Sequence, residues 1–326
     1  MNFLSTLTPQ LDVFQNSAIQ IGMVQRSGRL SVLPLLGSDC SGGWASPYSG
    51  LVFTGVHGYG HVSFENKSDN IGILPLHMGY IQEGAQNHAT SVAALFAPHQ
   101  TRRFDDARCV QASQGGYLHS KEQWFFILPV QLRQETLGLR GHEGCGKIWD
   151  AIGRLNRSMG KNGRGHLDDL ICKERDVLNV YANQFEFLEG QIGAIFFAND
   201  QPVGIEIAPT SAYFADIWKA LITFCYGAYA YQFDRKERKR PSLPKVERAK
   251  TLDEAQALLA QRREQYMTTI LKSLSSLSWK IEENMLEEKL LDMELKTLRT
   301  PDFYGQYVHR GSEMVYASLF KTGIGA

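Results

Sequence analysis

The sequence lacks the features that mark several broad classes of protein. It has five cysteines, an odd number, and no two of them form a C-x-x-C pair. A disulfide framework needs paired cysteines and a structural zinc site needs closely spaced ligands, so we predict neither, and no metal site or cofactor. No run reaches the roughly 18 apolar residues that a membrane span needs. The N-terminal stretch MNFLSTLTPQLDVFQNSAIQ also lacks a basic segment followed by an apolar core, so we predict a cytoplasmic protein without a membrane segment.

The chain also lacks an excess of charge of either sign. Lysine plus arginine numbers 34 and aspartate plus glutamate numbers 34, which gives a formal net charge of zero. No overall electrostatic attraction therefore draws the protein to nucleic acid or to an anionic membrane. What the chain does have is length and apolar content. Its 326 residues, 43% of them hydrophobic, are enough to bury one large core or two modest ones.

The first two-thirds of the chain has the pattern of an antiparallel β protein. Short apolar runs such as RLSVLPLLG, GLVFTGV, HVSFEN and IGILPLHMG are bounded by Gly, Pro, Asn, Asp or Ser. Their spacing is typical of a sandwich or barrel. GQIGAIFFANDQPVGIEIA gives the clearest hairpin signal, with Asn199 and Asp200 at its turn. Its apolar and small residues fill both faces of the strand, which predicts a strand covered on each side.

The remaining segments favour an α+β fold with a helical excursion. KIWDAIGRL and SAYFADIWKALITFCYGAYAYQF read as two helices packed on the β-rich body, residues 29–232, which follows an N-terminal extension, 1–28. A basic linker, 233–250, precedes a long helical segment, 251–300, in which apolar residues from Tyr266 to Met285 step by three and four. Residues 301–326 close the domain as a hairpin. Serines at SLSSLS weaken the helical signal, so the segment either folds back or projects to a partner.

One polar stretch between two apolar runs is the main candidate site. YIQEGAQNHATS carries Glu83, Gln86, Asn87 and His88 within six positions. Amide side chains donate and accept hydrogen bonds at once, so they either satisfy the backbone of a turn or bind the polar edge of a ligand. The residues alone leave both interpretations open.

Three other motifs favour ordinary structural roles. GHEGCGK resembles the start of a phosphate-binding loop, but Ile148 occupies the place of the magnesium-binding Ser or Thr. His57 and His61 could share a strand face, yet no nearby Asp, Glu or Cys completes a metal site, and exposed loop histidines are the better interpretation. Cys109 has an apolar neighbour and no evident activating base, which favours a core thiol over a nucleophile.

The basic run at residues 235–245 is the one stretch whose composition suggests contact with nucleic acid. DRKERKRPSLPK could contact phosphates, but it lacks interleaved aromatic residues. A solvated loop is the favoured interpretation and nucleic-acid contact is the alternative.

A family resemblance spans roughly residues 29–320. VSFENKSDNIGILPL, EGAQNHATSVAALFAP, ARCVQASQGGYL, FLEGQIGAIFFANDQPVGIEI and SEMVYASLF stand in the order seen in a prokaryotic domain family of unknown function. This is the family of ARG and rhodanese-phosphatase-superfamily-associated proteins, first type, which the chain resembles most closely at Gly190, Gln191, Gly193 and Gly204. The family name implies an association with ADP-ribosylglycohydrolases and phosphatase-like proteins, and fixes no mechanism.

The departures from this family concern charged residues. Tyr80 and Ile81 stand where the family has paired glutamates, His88 stands for an arginine, and the lysine before Gln86 is missing. Gln111, in CVQASQGGYL, replaces a further acid. General acid–base chemistry needs ionisable groups in place. If the family pocket is an active site, this member has lost most of its machinery. If it is a binding pocket, this member has changed specificity.

We therefore predict no catalytic residues and a ligand-binding set of Glu83, Gln86, Asn87, His88 and Gln111. The favoured function is a non-catalytic binding or scaffold component of a prokaryotic operon, antiviral defence being one setting, that acts through a protein partner or homo-oligomer formed by residues 252–298. The alternative is an enzyme or sensor for a nucleotide or ADP-ribose-type ligand. We also expect Gln86 and Asn87 to face a concave surface near Gln111.

Overall fold

The computed structural model describes residues 19–81, 86–112, 124–142, 147–236 and 249–325. It shows a mixed α+β protein built from antiparallel sheets, which confirms the predicted fold class. The strands, in chain order, are β1 (Gln20–Ile21), β2 (Gln25–Ser27), β3 (Leu30–Leu36), β4 (Leu51–Gly58), β5 (His61–Asn66), β6 (Gly72–Leu74), β7 (Met78–Ile81), β8 (His88–Ala89), β9 (Ala94–Phe96), β10 (Thr101–Phe104), β11 (Arg108–Cys109), β12 (Trp124–Ile127), β13 (Gln191–Ala198), β14 (Gln201–Ile207), β15 (Glu283–Leu290), β16 (Met293–Arg299), β17 (Phe303–Arg310) and β18 (Glu313–Lys321).

Helices connect some of these strands along the chain. They are α1 (Val130–Gly138), α2 (Lys147–Ser158), α3 (Asp168–Ile171), α4 (Arg175–Ala182), α5 (Ser211–Ala220), a π-helical turn (Leu221–Tyr226), α6 (Gly227–Lys236) and α7 (Leu252–Ser275). The two helices predicted for the body correspond to α2 and to the continuous α5–α6 segment. Helix α1 was not predicted, because the apolar run EQWFFILPVQL has no helical period, and its residues after Pro129 turn into a helix.

One large sheet organises the molecule. Its nine strands follow the order β1-β3-β13-β14-β18-β17-β16-β15, with β2 also pairing β3. Strands β1 and β2 lie in the predicted N-terminal extension, so residues 19–28 pair directly with the body. The predicted closing hairpin is β17–β18, and β18 pairs with β14, which joins the end of the chain to its middle.

The β13–β14 hairpin forms the centre of the sheet. Asn199 and Asp200 adopt positive φ angles of 50° and 64° at its turn, the conformation of a type I′ turn. Phe196 and Ala194 pack into the core on one face, whereas Ile195 and Phe197 pack into the core on the other. All eight residues of β13 are buried. The predicted two-sided burial of this strand is confirmed.

Different elements cover the two faces of the sheet. Helices α1–α6 and the small sheets lie against the face of Phe196, and the second half of α7 with Trp279 lies against the face of Phe197. A third apolar cluster lies within the small sheets, β10-β5-β4 and β11-β8-β7-β12, around Phe53, Phe64 and Tyr80. Residues 86–89 of the candidate polar stretch lie in or next to β8, in the sheet β11-β8-β7-β12.

The prediction of one helical segment over residues 251–300 is wrong beyond Ser275. Helix α7 begins at a capping box, in which Thr251 Oγ1 accepts the Glu254 N–H and Glu254 Oε2 accepts the Lys250 N–H. It ends where Ser273 and Ser276 hydroxyls donate to backbone carbonyls three residues earlier and compete with the helical pattern. The chain then forms β15 and β16, joined through Leu291 at a positive φ of 52°. Residues Met293 to Thr297 of β16 alternate between buried and half-buried, the period of two that a strand requires.

Among the described residues, no helix is both long enough and apolar enough to cross a membrane.

Candidate functional site

The candidate polar stretch is tied to Gln111 by hydrogen bonds. Strand β8 lies between β7 and β11. Asn87 immediately precedes β8 and Gln111 follows β11, so the two residues lie close together at neighbouring strands. The Asn87 N–H donates to Gln111 Oε1 over 3.0 Å, and the Val110 N–H donates to the Asn87 carbonyl over 2.9 Å. The predicted proximity of these residues is confirmed. Glu83 lies outside the described residues.

All four of these residues are buried. Gln86 is 7% exposed, Asn87 and His88 are 3% exposed, and Gln111 is fully enclosed. The adjoining segments, 82–85 and 113–123, lie outside the described residues. The concave surface and the ligand-binding role of these residues therefore stay predictions.

Both ring nitrogens of His88 are used within the fold. Its Nδ1 lies 2.8 Å from the Gln86 carbonyl, to which it donates, and its Nε2 accepts the Gly60 N–H over 3.3 Å. This pattern requires a neutral imidazole. Burial lowers the pKa of His88, and the bond to the Gln86 carbonyl only partly opposes it. For His88 the arrangement supports the structural alternative, a well-bonded turn.

A segment that sequence reasoning did not select covers the other side of Gln111. Gln111 forms an antiparallel bridge with His166, and His166 Nδ1 lies 3.7 Å from Asp168 Oδ1. Burial raises the pKa of the Asp168 carboxyl, against the opposing charge of His166. Within the described part of the chain, Gln111 Nε2 and Asp168 Oδ1 are buried without a hydrogen-bond partner. They are one donor and one acceptor that this region could offer to a small polar group or water. No motif in the sequence links Gln111 to His166 or Asp168, so their proximity could not be predicted from the sequence.

The other sequence motifs have local explanations. Cys109 is fully buried and its thiol donates to the Gln111 carbonyl over 3.0 Å, which is a core thiol as predicted. His57 contacts Ser63 Oγ and His61 contacts Asp105, each at 2.7 Å, so the two histidines have separate partners. No group of three His, Cys, Asp or Glu able to hold a metal occurs among the residues that the structure describes. The G-x-x-x-x-G-K stretch follows helix α1, whereas a phosphate-binding loop follows a strand; its residues 143–146 lie outside the described ranges.

A buried ion pair lies at the centre of the main core. Arg133 Nη1 donates to Glu206 Oε1 over 2.7 Å, and both side chains are almost completely enclosed. Tyr226, from the π-helical turn, donates to the same carboxylate oxygen over 2.6 Å. Arg133 Nε donates to His77 Nδ1 over 3.2 Å. Burial acts to lower the pKa of Arg133, but the Glu206 carboxylate raises it above its ordinary value. Every charge in this network has a partner, as a structural core requires.

An open cleft of about 730 Å³ lies between β10, the end of α1 and the β15–β16 hairpin. Arg102 pairs with Glu288 at 2.5 Å, and Arg140 pairs with Glu287 at 2.8 Å and with Glu283 at 3.0 Å. Arg103 pairs with Asp105 at 2.6 Å. The arginines of the cleft walls are therefore already neutralised, and they attach the hairpin to the body. A phosphate-bearing ligand would have to compete with these carboxylates.

Helix α7 is buried in its second half and exposed in its first half. Ile270 and Leu274, in its second half, are at most 1% exposed and lie on the sheet. Leu252 is 72% exposed and Leu259 is 44% exposed in its first half. The first half of α7, residues 252–265, thus extends away from the core that holds the second half.

Comparison with known families identifies the protein at the level of its domain. The model of the ARG and rhodanese-phosphatase-superfamily-associated protein domain matches residues 18–295. The chain belongs to this family. The match includes the polar stretch, the buried ion pair, the cleft and α7, and it ends inside β16. Comparison with curated proteins gave no match, and comparison with solved structures gave none either. The family's description records association with ARG and rhodanese-phosphatase-superfamily proteins and names no activity.

Proposed function

We propose that this family member is a non-catalytic scaffold protein that assembles with a second copy of itself through the first half of α7. The observation that carries the proposal is the contrast within this helix, whose second half is buried against the sheet while Leu252, Leu258 and Leu259 remain exposed. A cluster of exposed leucines on an extended helix is typical of an interaction surface.

The apolar side of α7 continues past the point where the body ends. Leu252, Leu259 and Tyr266 are spaced by seven residues, so they lie on one side of the helix. Tyr266 is held at the body, where its hydroxyl bonds Asp200 Oδ1 over 2.7 Å. Leu252 and Leu259 extend the same side beyond that contact. A second helix with a similar apolar side would cover these two leucines.

The charges of the first half favour a second copy in antiparallel orientation. Asp253 and Glu254 occupy the first turn, and Arg262 and Arg263 follow two turns later. In sequence, Leu258 lies midway between Asp253 and Arg263, and also midway between Glu254 and Arg262. An antiparallel partner that meets this helix at Leu258 therefore places each acidic turn beside the other copy's arginines, whereas a parallel partner aligns like charges. Such a self-complementary surface is what a two-fold dimer requires.

The remainder of the structure supports binding rather than catalysis. His88, Cys109 and Asn87 are engaged within the fold, and the cleft arginines are paired with carboxylates. A nucleotide or ADP-ribose-type ligand remains the second candidate, because Gln111 Nε2 could donate a hydrogen bond to a ligand and Asp168 Oδ1 could accept one. An association with ARG and rhodanese-phosphatase-superfamily proteins belongs to the same proposal and is supported by the family description.

Light scattering of the purified protein tests the proposal. We expect an oligomer for the wild type and a monomer for the Leu258→Glu, Leu259→Glu variant. Leu286→Glu, which changes an exposed leucine of β15, is the matched control and should assemble like the wild type. A wild-type monomer at micromolar concentration would refute the self-assembly. Incubation with a nucleotide panel that includes NAD and ADP-ribose should give no turnover; turnover would refute the non-catalytic function.

A further inference from the structure

A basic, glycine-rich loop connects α2 to α3. Residues 160–165 read GKNGRG, and the loop is exposed from Asn162 to Arg164. The buried side chain of Asn156 holds the loop backbone. Its Nδ2 donates to the Arg164 carbonyl over 2.9 Å and to the His166 carbonyl over 2.8 Å. Gly160 has a φ of 70°, which favours glycine at this position. The loop is thus held in one shape while Arg164 is exposed at the surface.

A second basic element meets this loop. The Arg235 guanidinium, at the end of α6, donates to the Met159 carbonyl, and its Nη2 lies where a Cβ on Gly160 would be 2.7 Å away. Arg235 opens the basic run that the sequence places at residues 235–245. Arg235 therefore lies beside loop 160–165, although the two are far apart in the chain.

Three arginines of this surface have no carboxylate partner. Arg157, Arg164 and Arg235 are exposed, and none of them forms a salt bridge with another described residue. Two neighbouring cations differ from them, since Arg154 pairs with Glu135 at 3.0 Å and Lys161 pairs with Glu174 at 2.5 Å. The cleft shows the contrast, because its arginines all have carboxylate partners. On a chain of zero net charge, this is a local excess of positive charge.

We propose that the surface formed by Arg157, Arg164, Arg235 and loop 160–165 binds the phosphodiester backbone of a double-stranded nucleic acid. Arginine side chains and backbone N–H groups are the usual donors to phosphate oxygens. Glycines allow the loop backbone to approach a phosphate closely. The loop contains no aromatic side chain on which an unpaired base could stack, so the surface reads neither single strands nor sequence. This binding is independent of the proposed self-assembly.

Fluorescence anisotropy with a labelled DNA duplex and an RNA duplex tests the site. We expect wild-type binding that weakens steeply between about 50 and 200 mM salt and is unchanged when the base sequence is shuffled. The Arg157→Gln, Arg164→Gln variant should bind more weakly and should lose about 1.8 from the slope of log K against log salt, at about 0.9 for each phosphate contact. Binding to either duplex supports the proposal and identifies which nucleic acid is preferred.

Two control variants distinguish this site from general charge and from a folding defect. Lys272→Gln with Lys280→Gln removes the same charge from exposed positions outside both proposed surfaces and should leave duplex binding unchanged. Arg157→Lys with Arg164→Lys keeps the charge and should retain most of the binding. The proposal is overturned if the wild type binds neither duplex at about 50 mM salt, if the Lys272 and Lys280 changes cost as much affinity as the loop pair, or if the lysine pair binds no better than the glutamine pair.

Discussion

Gly204 lies directly beneath the hydroxyl of Tyr226. A Cβ at residue 204 would come within 2.0 Å of Tyr226 Oη, the atom that donates to Glu206. The glycine is therefore required for close approach, since the φ angle at this residue is unexceptional. The stacking of Tyr226 on Phe196, with ring centroids 4.0 Å apart, leaves the tyrosine no space to retreat.

The first prediction concerns this contact. Gly204→Ala should displace Tyr226 and destabilise the protein by at least about 1–3 kcal/mol, the usual range for overpacking a core. Urea unfolding followed by circular dichroism measures the change. Combining Gly204→Ala with Tyr226→Leu removes the oxygen and the ring carbons that the new Cβ would meet, so the double change should cost less than the sum of the two single changes. A double change that costs the full sum would show that the alanine does not clash with Tyr226.

The second prediction concerns the Arg133–Glu206 ion pair. Arg133→Met leaves a buried carboxylate without its cation and should cost about 3–5 kcal/mol in the free energy of unfolding. Arg133→Met with Glu206→Leu removes both charges and should cost less than the single change. Arg103→Met, which breaks an exposed pair with Asp105, should cost less than about 1 kcal/mol. A single variant no less stable than the double variant would contradict the assignment.

The third prediction concerns β13. Phe196 is fully buried between the sheet and Tyr226, so Phe196→Ala should destabilise by about 3–5 kcal/mol. Leu286→Ala, on an exposed position of β15, should change stability by less than about 0.5 kcal/mol. Equal urea midpoints for the two variants would show that β13 is not the core of the sheet.

The fourth prediction concerns pH. Burial lowers the pKa of His77 well below its ordinary 6.5 and also lowers the pKa of His88, so the unfolded state binds protons more readily. The stability that both neutral rings contribute above pH 6.5 is lost as the pH falls from 6.5 towards their folded-state pKa values. Each ring should add a slope of up to about 1.4 kcal/mol per pH unit in that window. Urea midpoints at several pH values measure the slope, which should decrease in His77→Asn and in His88→Gln. An unchanged slope would assign the acid sensitivity to other groups.

The fifth prediction concerns the α7 interface. Asp253→Lys with Glu254→Lys makes the first half of α7 entirely basic, apart from Glu264, and Arg262→Glu with Arg263→Glu makes it entirely acidic. We expect each variant to be monomeric alone and the equimolar mixture to associate, which light scattering can show. The mixture also controls for the lost capping box of Glu254, because a frayed helix would not be rescued by an acidic partner. A monomeric mixture beside an assembling wild type would exclude the antiparallel arrangement.

Local patterns in the sequence predicted the elements whose signals are local. The β13–β14 hairpin has its turn residues and two apolar faces within one short stretch, and it was found as predicted. The region after Ser275 was not, because apolar steps of three and four from Tyr266 to Met285 continue by chance across a helix end and into a strand. Hydroxyl groups that bond to carbonyls, rather than a change of hydrophobic period, end the helix.

The candidate site shows a similar division. The resemblance to the family predicted that Asn87 and Gln111 are close, and a direct hydrogen bond joins them. Their burial was not predictable, because it depends on His166 and its neighbours, which are more than 50 residues further along the chain. The convergence of Arg235 on loop 160–165 likewise follows from how α6 packs and not from the composition of either segment.

The pairing of β14 with β18 has a consequence for folding during synthesis and for the design of truncated fragments. Strand β14, at the centre of the main sheet, gains its second neighbour only from residues 313–321, so the sheet cannot close until that strand has been synthesised. A fragment trimmed to the family match, residues 18–295, would lack β17 and β18 and would leave β14 as an open, apolar edge. Expression of the family domain by itself therefore requires the chain to continue through Lys321, and the folding unit is longer than the stretch by which the family is recognised.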